Sequence, residues 1–269
     1  MIGTYCLLNN KIIKATDAMI PIDHIEFTYG FGVYENLRMR NFKIAHVDEH
    51  IKRLFESADL IHLIHHFDIK EIIDATLKLV EKNNIENANI KMILVGGENP
   101  LLYTFMLAPK YLEKKEYRDG VKVISYHHER FLPQVKSLNM LPSYIIYKLA
   151  QKQNAYDALL IDRNGNISEG TRSNFFAIKN TTLYTPPREK VLNGITRRTV
   201  IKCAQKNNFE VSEQEIPLET IFEYDGAFLT NTSGKIVPIR TIDGTSFEKI
   251  SLKLMELKKL YDAHLSKEA

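Results

Sequence analysis

Three short stretches of the chain carry side chains whose types and spacing could do covalent or acid–base chemistry. In LPQVKSLNML, Lys136 lies between Val135 and Leu138, in a run that reads as a buried strand leading into a helix. Lysine is seldom buried without a reason. Burial disfavours the ammonium form and so supplies a neutral amine that can attack an aldehyde. A lysine that snorkels along apolar surface is the competing reading. In SEGTRSNFF, Glu169 precedes an apolar strand-like run, where an acid is more often a solvated turn residue. LNGITRRTV sets Gly194 and Thr196 at a helix start with Arg197 and Arg198 just inside. Free N–H groups, a hydroxyl and nearby positive charge suit a phosphate, and equally an ordinary capped helix.

Other chemistries are argued against. The chain has no GxGxxG after a strand, no GxxxxGK[ST], no HExxH and no GxSxG elbow. His62, His65 and His66 cluster without a carboxylate or thiolate spaced to complete a metal site, so no metal is expected. The net charge of +3 over 269 residues forms no basic stripe, which argues against nucleic acid as a partner. Cys6 and Cys203 are far apart, outside any CxxC pattern, and suit a reducing compartment. Without an apolar run of about 20 residues or a leader-like start, the reading is a cytoplasmic protein without a membrane partner.

The elements that must position these residues alternate between strand and helix patterns. Strand pairs are expected at TYCLLNN/KIIKA with Asn9-Asn10 at the turn, and within residues 33–46 around Asn41. A helix from about Asp48, its plausible cap, carries Ile51, Leu54, Phe55 and Ala58 on one stripe. A second helix over 69–83 should bury Ile69, Ile73, Leu77 and Val80. A strand pair follows around Gly96-Gly97. The charged segment 111–120 is the natural linker. Beyond it come VKVISY, a helix near 139–153, an Asn164-Gly165 hairpin, further strands, a helix from about Thr196, and a closing helix with Ile250, Leu254, Leu257 and Tyr261 on one face. The pattern predicts an α+β protein of two domains: 1–111, a linker at 112–120, and 121–269.

Taken together, YGFGVYENLR (29–38), HVDEHIKRL (46–54), VKSLNML (135–141), DALLIDRNGNISEGTRSNFF (157–176), LNGITRRTV (192–200) and LTNTSGKIVPI (229–239) resemble the class IV, or fold-type IV, aminotransferase family. That family uses pyridoxal 5'-phosphate (PLP) and includes D-amino acid aminotransferases, branched-chain aminotransferases and 4-amino-4-deoxychorismate lyases. The resemblance covers the chain from about Gly3 to Gly244. It implies a small N-terminal α/β domain, a larger C-terminal pseudo-barrel domain that binds PLP, and a homodimer. It also makes Lys136 the Schiff-base lysine and Glu169 the carboxylate facing the pyridine nitrogen. Arg53, Ile195 and Thr196 become the phosphate cradle, and Thr232 a further phosphate or substrate contact. Tyr34, Asn36, Arg38, Lys91 and Ser233 are the residues expected to border a small amino-acid-like substrate.

The chain also departs from its relatives. D-amino acid aminotransferases carry an Arg and a His where this chain reads GGENPLLYTF (96–105). Branched-chain enzymes have Phe-Glu-Gly where this chain has Tyr34-Glu35-Asn36, and both transaminase groups have a Glu where it has Lys235. Asn231 is closer to the aminodeoxychorismate lyases, whereas EGTRSNFF and KSLNML are closer to the transaminases. The reading that follows leans to the lyase of folate biosynthesis, which forms 4-aminobenzoate and pyruvate. A branched-chain or D-amino acid aminotransferase is the alternative, and a non-catalytic binder of PLP or a phosphate metabolite the remote one.

Overall fold

The computed structural model describes residues 1–268, which form two compact units. The first contains Met1–Lys110 together with Val135–Met140, and the second Tyr111–Gln134 with the chain from Leu141.

In the first unit a six-stranded sheet runs β2-β1-β6-β5-β3-β4. Its strands are β1 (Ile2–Leu8), β2 (Lys11–Lys14), β3 (Gly32–Arg40), β4 (Lys43–Ile44), β5 (Ala88–Val95) and β6 (Leu101–Leu107). Both asparagine turns form: Asn9 and Asn10 take positive φ, and so do Asn41 and Phe42. Besides the short α1 (Ile25–Thr28), the unit has helices α2 (Val47–Leu60) and α3 (Ile69–Asn83). Ile51, Leu54 and Ala58 of α2 are fully buried, and the two larger ones stabilise the fold by roughly 1.5–3 kcal/mol each. Asp48 is not the cap of α2. His46 holds that position in a left-handed conformation, and Asp48 lies in the first turn, where it suits the helix dipole. The inner face of α3 also differs from expectation. Ile72, Ala75, Thr76, Leu79 and Val80 are buried, whereas Leu77 is exposed. Thr76 tolerates burial because its hydroxyl donates to the Ile72 carbonyl at 2.7 Å, so a polar residue hides within the apolar face.

In the second unit, strands β7 (Val121–His127), β8 (Asp157–Ile161), β9 (Ile167–Gly170), β10 (Asn174–Lys179), β11 (Thr182–Thr185), β12 (Glu210–Glu213), β13 (Gly226–Asn231), β14 (Lys235–Ile242) and β15 (Thr245–Ser246) make one sheet. Six of them close on themselves: β10-β13-β14-β7-β8-β9, with β9 pairing back to β10 at Glu169 and Asn174. Closure leaves no free edge around this ring. The helices are α4 (Lys114–Asp119), α5 (Leu141–Lys152), α6 (Ile195–Lys206) and α7 (Leu252–Glu268).

Two boundaries shift. Residues 112–120 carry α4, begun by a Glu113/Glu116 capping box, and Leu112 and Tyr117 pack against the second unit's core. The segment drawn as a linker is therefore a folded part of that unit. Conversely, Val135–Met140 joins the first unit because it adds to the start of β3. Tyr34 donates its backbone N–H to the Lys136 carbonyl at 2.9 Å, Leu138 donates to the Gly32 carbonyl at 2.8 Å, and Val33 bridges Ser137. Lys136 lies in this short extended piece, which meets α5 at Leu141.

Candidate active site

Lys136 is half-buried rather than sealed. Its carbonyl is tied to β3, and its own N–H donates to Ser57 Oγ of α2 at 3.2 Å, so the backbone beneath the amine is held from two sides. The side chain reaches Tyr34, with Nζ 4.7 Å from the ring centroid. A second lysine shares that ring: Lys91 Nζ stands 3.6 Å from the same centroid. The strand register explains the meeting. Tyr34, Asn36 and Arg38 alternate along β3 and share one face, and Lys91 of β5 pairs directly with Asn36. Burial pulls the Lys91 ammonium down to about 8, against the opposing pull of Glu35. Asn36, Arg38 and Lys91 are half-buried on this face. Arg40 is otherwise engaged, since its guanidinium donates to the carbonyls of Met39 and Ala88.

The opposite face of β3 holds Val33, Glu35, Leu37 and Met39, all fully buried. Glu35 meets α2 there. Arg53 grips it in a fork, Nε to Oε1 at 2.6 Å and Nη2 to Oε2 at 2.8 Å, while His50 Nδ1 lies 2.7 Å from Oε2. Burial alone would raise the Glu35 carboxyl, but Arg53 and His50 hold it far below the carboxylate range. Burial likewise holds His50 below its ordinary value, so the imidazole is neutral and its Nδ1–H must donate. Arg53 is thus anchored before it meets any ligand. Glu35, His50 and Ser57 were not singled out from sequence. The available signal was His50 and Arg53 at i, i+3 on the buried side of a helix, facing an acid in an apolar strand.

In the second unit, Glu169 is nearly sealed. Its Oε1 accepts from Arg130 Nη1 at 2.8 Å, and its Oε2 takes longer contacts from the Leu192 N–H at 3.3 Å and Asn174 Nδ2 at 3.4 Å. The turn after Glu169 is pinned from beneath by the buried Asp157, which accepts from Thr171 Oγ1 at 2.5 Å and Ser173 Oγ at 2.8 Å. Asn174 also donates to the Leu192 carbonyl at 2.8 Å, bringing Glu169 and the approach to α6 together. Gly194 caps α6 with no side-chain bond to its first turn, and a Cβ there would meet Asn174 Oδ1 at 2.1 Å. Only glycine fits that approach. Ile195 and Thr196, both buried, open the helix.

Arg197 is held by the protein's own groups. It is buried against the Pro186 carbonyl at 3.0 Å and Glu213 at 3.1 Å. Thr232 and Ser233 sit half-buried in the turn after β13. Asn231 accepts the Gly234 N–H at 2.6 Å and donates to Tyr156 Oη at 3.1 Å, which stiffens that turn. Burial pushes the Tyr156 phenol up to about 12, so it stays a neutral hydroxyl. Lys235 pairs with Asp262 of α7 at 2.6 Å. Among the described residues no group of three or more His, Cys, Asp or Glu side chains could hold a metal ion, and no helix is long and apolar enough to cross a membrane.

Residues 32–242 match the sequence profile of the family described as amino-transferase class IV. The chain belongs to the class IV aminotransferase family. A D-alanine aminotransferase of Bacillus licheniformis is 30% identical over 253 residues, 88% of either chain. A branched-chain amino acid aminotransferase of Escherichia coli superposes with a TM-score of 0.91 at 24% identity, covering 99% of this chain and 96% of that one. A Legionella pneumophila protein provisionally named 4-amino-4-deoxychorismate lyase gives 0.85 at 25% identity, covering 95% and 97%. The fold is that of the fold-type IV PLP enzymes, and the class IV cofactor is PLP. Each unit holds donors of the kinds that fit such a group: in the first an amine on a rigid backbone and a preset guanidinium, in the second a helix start without a side-chain cap and a carboxylate with one firmly held oxygen.

Proposed function

We propose that this class IV enzyme transfers the amino group of a D-amino acid, with Lys91 holding the substrate carboxylate. The observation that carries the reading is the shared ring, with Lys91 and Lys136 on Tyr34 at 3.6 and 4.7 Å. A carboxylate bound on Lys91 is presented beside the amine that does the chemistry. Lys91 then supplies the cation that the 96–105 stretch lacks. The Bacillus relative's name supports the D-amino acid assignment.

When bound, PLP supplies an electron sink for the bond broken at the substrate Cα. Lys136 holds the cofactor through its amine and moves the Cα proton. Glu169 keeps the proton on the pyridine nitrogen. Arg53, the N–H groups of Ile195 and Thr196, and the Thr232 hydroxyl hold the phosphate. Tyr34, Asn36, Arg38 and Ser233 border the substrate.

A substrate panel tests the reading. D-alanine with 2-oxoglutarate should turn over on the order of 10 s⁻¹, well ahead of L-leucine and L-glutamate. Conversion of aminodeoxychorismate to 4-aminobenzoate and pyruvate, without amino transfer from D-alanine, would replace it with the lyase. That second reading is favoured by Asn231 heading the turn after β13 and by Arg38 and Lys91 on one strand face, a set suited to two carboxylates. A purified protein without the coenzyme's visible absorbance would leave only a binder of another phosphate metabolite.

A homodimer is part of the proposal. In residues 19–29, Met19, Ile22, Ile25 and Tyr29 are each more than half exposed, an apolar patch that a second copy would cover. Light scattering should report a mass near twice 31.1 kDa. A reducing cytoplasmic setting fits the buried, unbridged Cys6 and Cys203.

A further inference from the structure

We propose that Arg130 is a positioning residue that orients Glu169 toward the cofactor's pyridine nitrogen. The inference rests on the role given to Glu169 above. One nitrogen, Arg130 Nη1, donates both to Glu169 Oε1 at 2.8 Å and to the Pro133 carbonyl at 3.3 Å. The guanidinium therefore ties the carboxylate to the turn that runs, three residues later, into Lys136. The pair is well shielded, with 14% of the Arg130 side chain exposed and 5% of Glu169.

The two carboxylate oxygens are not equivalent. Oε1 carries the short charge-assisted bond, whereas Oε2 is held only by contacts at 3.3 and 3.4 Å from Leu192 and Asn174. Short charge-assisted bonds dominate orientation, and long ones yield to a better donor. A protonated ring nitrogen is that donor, so Oε2 is the oxygen offered to it and Arg130 is what keeps the carboxylate from turning. Without the clamp, Glu169 could rotate into the cleft of about 300 Å³ that Arg130 and Glu169 line together with Arg163 and Lys190.

The test is a double-mutant cycle on the holoenzyme, read as coenzyme dissociation and as the pH dependence of the bound coenzyme's absorbance. Arg130→Met should weaken coenzyme retention by about tenfold, the low end for a lost charge-assisted hydrogen bond. It should also move the pH profile of the absorbance, and lower kcat while leaving the amino donor's KM unchanged. Glu169→Gln should weaken retention at least as much. In the Glu169→Gln background, Arg130→Met should add little, because its route to the cofactor is gone. Arg130→Lys should recover part of the loss, and it supplies the same cycle where Arg130→Met does not fold. Full additivity of the two losses, or Arg130→Lys no better than Arg130→Met, would overturn the positioning role alone. Glu169→Gln with unchanged retention and spectrum would overturn the Glu169 assignment itself, and this inference with it.

Discussion

Glu35 and Glu169 are both buried carboxylates held by an arginine, and they are built to opposite ends. Glu35 is closed: both oxygens are in the Arg53 fork, His50 completes the shell, and its side chain has no exposure. Glu169 has one strong partner and two long contacts. A carboxylate with a short charge-assisted bond on each oxygen serves to fix its arginine. One with a loosely held oxygen has capacity left for a ligand. On the roles proposed above, the arginine of the first pair is the working group and the acid its anchor; in the second the acid works and the arginine anchors it.

That contrast requires that the bond-breaking chemistry belong to neither pair, and Lys136→Ala tests this with the largest expected effect. It should remove the borohydride-fixable link between coenzyme and protein and lower kcat by roughly 10⁴-fold, the upper end for a positioned proton-transfer group. A variant that still gives a reduced coenzyme–lysine adduct at this peptide would move the chemistry elsewhere.

Glu35→Gln asks whether the first pair is structural. Removing one partner of a buried ion pair should cost about 3–5 kcal/mol in denaturant unfolding, whereas Glu169→Gln should cost much less stability and more coenzyme. The pH dependence follows the same logic. Glu35 is depressed in the fold, so its contribution is complete above its ordinary 4.5 and declines as pH falls below it. His50 is also depressed, so the unfolded chain takes up its proton first and stability begins to fall below about 6.5. Wild-type protein should lose stability on acidification through this range, and Glu35→Gln should flatten the part below 4.5. Equal acid sensitivity in the variant would mean that other groups govern it.

The candidate residues on which the proposal rests could be read from the sequence where a residue type and its neighbours suffice. Lys136 among apolar residues and Gly194-Ile195-Thr196 at a helix start were of this kind. The partners that set them were not. Glu35 and Arg53 are separated by a strand turn and a helix start, and Arg130 and Glu169 by a whole helix and hairpin. Such pairings exist only once strand register and packing are fixed, and periodicity carries no record of them. The return of Val135–Met140 to the first unit was hidden for the same reason, since it rests on backbone bonds from Tyr34 and Leu138. Charge made 112–120 look like a tether, although Leu112 and Tyr117 anchor it.

Arg53→Lys sharpens the comparison at a smaller scale. Lysine keeps the charge but cannot reproduce the fork on Glu35. Coenzyme retention should weaken by about 1.5–3 kcal/mol, the value of a charge-assisted hydrogen bond, with less destabilisation than Glu35→Gln. Unchanged retention on dialysis would make Arg53 purely a partner of Glu35.

The smallest effect concerns Lys91, the cation on the strand face opposite Glu35. With its ammonium pulled down to about 8 by burial, it is mostly charged at pH 7 and mostly neutral at pH 9. If it holds the substrate carboxylate, only the charged form binds. The amino donor's KM should then rise above pH 8, reaching roughly tenfold by pH 9 from the fall in the charged fraction. Glu35 matters here too, because its negative charge opposes burial and raises Lys91. Glu35→Gln should therefore move the onset of the KM rise to lower pH, which links the sealed carboxylate to substrate binding without any contact with substrate. Lys91→Met should raise KM at pH 7 and abolish the pH dependence, with the coenzyme spectrum intact. A KM that stays flat from pH 7 to 9 in the wild type would remove Lys91 from the substrate site and leave Arg38, on the same face, as the cation to test.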